Sequence, residues 1–98
     1  MRRGTTPTHI FTLPFDTATL SKVRIIYSQG NSPVVTRDNA DLHGNTATVK
    51  LTQAETLKFD SVQTVSVQVR VLTVGGDALA SDIMRTTADR LLENEVLE

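Results

Sequence analysis

The chain has no cysteine and no tryptophan in its 98 residues. Without cysteine there is no disulfide framework, thiolate nucleophile or cysteine-ligated zinc, and the redox compartment stays open. Aromatic rings are limited to Phe11, Phe15, Tyr27 and Phe59. Glycan-binding faces and single-strand stacking platforms rest on exposed rings, so this shortage counts against both. An excess of one charge is also missing. Ten basic residues stand against eleven acidic ones, for a net charge of −1. That leaves no field to draw the chain to nucleic acid or an anionic membrane. No apolar run follows Met1-Arg2-Arg3, only Gly4-Thr5-Thr6-Pro7-Thr8, so neither signal peptide nor membrane anchor is expected. The length predicts a single domain over 1–96, with Leu97-Glu98 read as a cloning remnant. Such a chain hides roughly 65% of its unfolded surface and has little material left for a deep substrate cavity.

What the sequence does have is alternation. Val65, Val67, Val69 and Val71 are separated by Ser66, Gln68 and Arg70, the period of a strand with one buried face. Val62 to Val74 and the run from Ala78 predict a hairpin around Gly75-Gly76-Asp77. A first strand carries His9, Phe11 and Leu13 on one face and Thr8, Ile10 and Thr12 on the other, with Phe11 and Leu13 inward, and ends at Pro14. Leu20 to Gln29 is a second strand, with Val23, Ile25 and Tyr27 inward and Lys22, Arg24 and Ser28 outward. Gly30-Asn31-Ser32-Pro33 turns the chain into a third strand, Val34 to Arg37. After a polar stretch and a turn at His43-Gly44-Asn45, Ala47, Val49 and Leu51 mark one face of a strand over Thr46 to Thr52.

One helical signal interrupts the strands. Thr52-Gln53-Ala54-Glu55 fits a capping box, so a short helical turn is expected near 53–58, with Leu57 and Phe59 plugging the core. The final run, Ala78 to Leu92, predicts a strand bulged near Ser81-Asp82, because Ile83 and Met84 fall on opposite faces. A helix from Thr86 competes with this, and segment 86–96 stays open between the two. Five or six strands at these spacings, joined by short connections, predict an all-β antiparallel sandwich.

No motif carries recognisable chemistry. Asn39-Ala40-Asp41-Leu42-His43-Gly44 opens like a calcium loop, but the twelfth position is Lys50 where a bidentate glutamate is needed. His9 and His43 lack zinc-ligand spacing; His9 is expected at the sheet rim and His43 in an exposed turn. There is no Gly-x-Ser-x-Gly elbow, and Gly75-Gly76 joins strands instead of opening a helix. Asp38 with Asp41, and Glu93 with Glu95, read as turn and tail residues and not as a glycosidase pair. No catalytic, cofactor-binding or metal-ligating residue is assigned, no cofactor or small-molecule substrate is expected, and the chain reads as no enzyme. Lys22 with Arg24, and Arg70 with Arg85, are expected to share outward strand faces that keep the sheets soluble. Ile26, Leu72 and Val74 sit on otherwise polar faces and are candidates for an interaction patch, unless another element covers them.

Three stretches carry a family resemblance. They are the opening Arg2-Arg3-Gly4-Thr5-Thr6-Pro7-Thr8-His9-Ile10-Phe11-Thr12-Leu13-Pro14-Phe15-Asp16, the segment Val49 to Phe59, and Val67 to Thr73. Together they resemble small proteins encoded in prophages of gut Firmicutes. The layout is similar to the amino-terminal module of siphophage upper baseplate proteins. The resemblance implies an immunoglobulin-like β-sandwich acting as a virion structural part in a tail or baseplate, assembled in the host bacterial cytoplasm. It implies other virion or prophage proteins, or a second copy, as partners, and transfers no catalytic residue. A ligand- or carbohydrate-binding surface module is the alternative, for which Phe15 and Tyr27 are the candidate loop aromatics.

Overall fold

The computed structural model describes residues 1–92 and 95–98. Strands β1 (Thr8–Thr12), β4 (Asp41–His43) and β5 (Thr46–Lys50) form one antiparallel sheet in the order β1-β5-β4. The second sheet runs β3 (Ser32–Arg37), β2 (Leu20–Gln29), β6 (Thr64–Thr73), and then β7 (Ala78–Ala80) and β8 (Met84–Thr87), both on the far side of β6. A short helix α1 (Gln53–Thr56) crosses between the sheets. In the lettering of immunoglobulin sandwiches, β1 to β6 take positions B, C, C′, D, E and F, and β7 with β8 takes G. Strand A is not among the described elements. Arg2 instead makes a parallel bridge with Asp89, just beyond the G strand.

The interior is what the alternation predicts. Phe11, Leu13, Ala47, Val49 and Leu51 from the first sheet meet Val23, Ile25, Tyr27, Val35 and the four alternating valines of β6 from the second. Phe59 and Thr56 close one end, and Leu57 is only partly buried. Burying each valine contributes about 1.5–3 kcal/mol, so this row outweighs any local preference in β6. Thr52 caps α1 as its sequence requires: its hydroxyl accepts from the Glu55 N–H while the Glu55 carboxylate accepts from the Thr52 N–H.

The structure corrects several boundaries. The first hairpin turn is only Gly30-Asn31; Gly30 has φ +60°, the glycine-first geometry of a two-residue turn, and Ser32 and Pro33 already belong to β3. Val34 is an extra residue in β3, since Tyr27 faces Val35 and Ser28 faces Pro33. The polar stretch before His43 contains β4, too short for its alternation to be read. A 3-10 turn over Thr17–Thr19, capped by Asp16, was not expected. Strand β6 is shorter than Val62 to Val74. Val62 is 88% exposed before it, and Val74 is 75% exposed in the loop after it. Segment 86–92 begins as strand and not as helix, and the rest of that question falls partly on residues outside those described. Leu97 lies against Gln53, whose side-chain amide brackets the Leu97 backbone N–H and C=O at 2.7 and 3.0 Å.

The expected bulge is present and has a clear mechanism. Arg70 faces Ala80 while Val67 faces Met84, so β7 and β8 are one strand with an inserted residue around Ser81–Ile83. At the break the Ser81 hydroxyl takes the Val69 N–H at 3.0 Å and itself donates to the Asp82 carbonyl. The Ser81 N–H reaches the Val69 carbonyl at 2.8 Å. A serine side chain thus stands in for the carbonyl that the ladder loses.

Candidate functional site

Three regions of the described structure hold groups able to bind or react. The first is a polar cluster at one end of the sandwich. His9, on the inner face of β1, places Nδ1 2.6 Å from the Tyr27 hydroxyl. Burial pushes the Tyr27 phenol above its ordinary pKa, so it keeps its proton and shares this hydrogen bond with a neutral imidazole. Burial, and then the nearby N-terminal amine, lowers the His9 pKa and favours that neutral form. Beside them the Arg37 guanidinium donates to the Glu55 carboxylate at 2.8 Å and to the Lys50 carbonyl at 3.0 Å. No buried side-chain polar atom in the described structure lacks a partner. The cluster reads as a satisfied network that fixes how the sheets meet.

The second region is an open recess of about 690 Å³ where β2 runs on past the end of β3. Lys22, Arg24 and Arg70 line it with Leu20, Leu42 and Leu72. Arg24 and Arg70 sit directly opposite each other across β2 and β6, an unfavourable pairing relieved when Asp38 accepts from the Arg24 guanidinium. Lys22 and Arg24 therefore share an outward face as expected, and Arg70 joins them. Arg85 faces Ser66 farther along the same sheet. Among the described residues no group of three or more histidine, aspartate or glutamate side chains is placed to hold a metal. Asp41 and His43 lie on β4, and Glu93 lies outside the described residues.

The third region is the set of sheet edges. Unpaired edge groups invite another chain, and folded proteins protect them with short strands, charges, proline or bulges. Edge β3 carries Pro33 and the extra Val34. The β7–β8 edge is broken into two short strands by its bulge. Edge β4 has three residues and a charge at Asp41. Where β2 runs past β3 it bears Lys22 and Arg24. Edge β1, five residues long, has no bulge, lysine or proline within it. Its register against β5 is unbroken, and Ile10 in its middle is 67% exposed.

Of the three residues singled out as a patch, Ile26 and Leu72 are half-buried and Val74 is in a loop, so they do not form one surface. Tyr27 is wholly buried in β2 and is not a loop aromatic, while Phe15 is partly buried. The β1 edge was not singled out from the sequence; its signal is a neutral strand bounded by Pro7 and Pro14. No helix among the described residues is long and apolar enough to cross a membrane. No protein-family model, curated protein or solved structure matches the chain.

Proposed function

We propose that the chain is a non-enzymatic structural module of a phage or prophage particle, in its tail or baseplate, which joins its neighbours through protein–protein contact. On this reading it is built into the particle in the host bacterial cytoplasm. The observation that carries it is the unbroken β1 edge. Main-chain donors and acceptors on an open edge give affinity by strand addition, and the alternate side chains give register. A sandwich whose remaining edges are blunted offers one direction of assembly, as a building block requires.

The test uses the full chain with the purified products of its flanking genes. Co-sedimentation with a tail or baseplate protein, weakened about tenfold or more by Ile10→Pro, is the expected result. Absence of binding to every such product, or binding indifferent to that substitution, would remove the reading.

A further inference from the structure

We propose that the occupant of the β1 edge is a second copy of this chain, paired antiparallel about a two-fold axis at Ile10. Two three-stranded sheets then become one continuous sheet. The inference deepens the edge-docking reading and rests on it.

Hydrogen-bond parity selects this register. The Leu13 N–H donates to the Asn45 carbonyl at 2.7 Å, and the Leu51 N–H donates to the Pro7 carbonyl at 3.0 Å. With the register Thr8 to Lys50 through Thr12 to Thr46, the odd-numbered residues of β1 therefore face β5. The even-numbered residues Thr8, Ile10 and Thr12 turn their N–H and C=O groups to the open edge. Centring the axis on Ile10 sets Ile10 against Ile10, and Thr8 against Thr12, all as hydrogen-bonded pairs. An axis at His9 or Phe11 would present groups already bonded to β5. Pro14, at the next edge-facing position, has no N–H and limits the ladder there.

The side chains of Thr-His-Ile-Phe-Thr are almost symmetric about Ile10, as a self-complementary strand must be. On the solvent face, β-branched residues meet β-branched residues. On the inner face, His9 of each copy comes beside Phe11 of the other, at the closer spacing of non-hydrogen-bonded pairs. Charge agrees as well. Lys50 on β5 lies beside Thr8, and the two-fold places the two lysines at opposite ends of the seam. No like charges face each other. The five-residue edge falls short of the roughly 1,200–2,000 Å² buried by stable complexes, so the pairing is reversible and concentration-dependent. It strengthens when an assembly already holds copies side by side.

Sedimentation equilibrium over a dilution series, with circular dichroism as the check on folding, tests the proposal. The unaltered chain is expected to show a monomer–dimer equilibrium, with the Thr8, Ile10 and Thr12 amides slowing in hydrogen exchange as concentration rises. Ile10→Lys puts two cations across the axis and should weaken the dimer about tenfold or more. Ile10→Pro deletes an edge-facing N–H without touching the β5 ladder and should do the same. If Ile10→Pro does not fold, Ile10→Lys carries the test. A chain monomeric at every concentration overturns self-pairing. If Ile10→Pro still abolishes binding to a flanking-gene product in that case, the edge reading survives with a foreign strand as occupant. A dimer indifferent to both substitutions overturns pairing through β1.

Discussion

His9 ties the fold to pH. Its folded pKa lies below the ordinary 6.5 because burial disfavours the cation and the N-terminal amine repels it. Tyr27 faces the ring, and the Arg37–Glu55 pair sits near Tyr27. The unfolded chain takes up the imidazole proton first as pH falls, so the native state loses ground. Stability is full above about pH 6.5 and declines as pH drops through that value and then the lower folded one. Urea unfolding between about pH 8 and pH 5.5 should show this slope. His9→Gln should flatten it. Solvent access to His9 keeps the effect small.

At the scale of elements, the bulge between β7 and β8 hangs on one hydroxyl. Ser81→Ala leaves the part-buried Val69 N–H without its partner and should cost about 1–3 kcal/mol in chemical denaturation, more than an exposed serine would. A loss below a few tenths would mean that water replaces the hydroxyl. The bulge was legible because Ile83 and Met84 contradict a period of two, and β6 was legible because four valines repeat it. Three-residue β4 has too few positions to show any period. Val62 and Val74 continue the valine pattern but lie outside the ladder, since hydropathy marks what can be buried and not where pairing stops. The freedom of the β1 edge was hidden for a deeper reason: which side of a strand lacks a neighbour depends on residues far away in the chain. The His9–Tyr27 contact has the same origin, joining strands that only the closed sandwich brings together.

For the molecule as a whole, the largest strand contact is non-local. β2 and β6 are the two longest strands and pair along nearly their full length, yet the third strand, the first sheet's hairpin and α1 all lie between them in the chain. Loop closure must precede most of the reward, which places refolding in the millisecond-to-second range typical of sandwiches. Stopped-flow fluorescence of Tyr27 should follow it, and microsecond refolding would contradict the pairing described. During that delay the valine row of β6 is uncovered while the chain searches for β2. Crowded nascent copies can meet through it before either is finished, so yield on expression should fall as synthesis outpaces folding. Slower production at lower temperature is then the natural route to intact material, whatever the finished sandwich goes on to join.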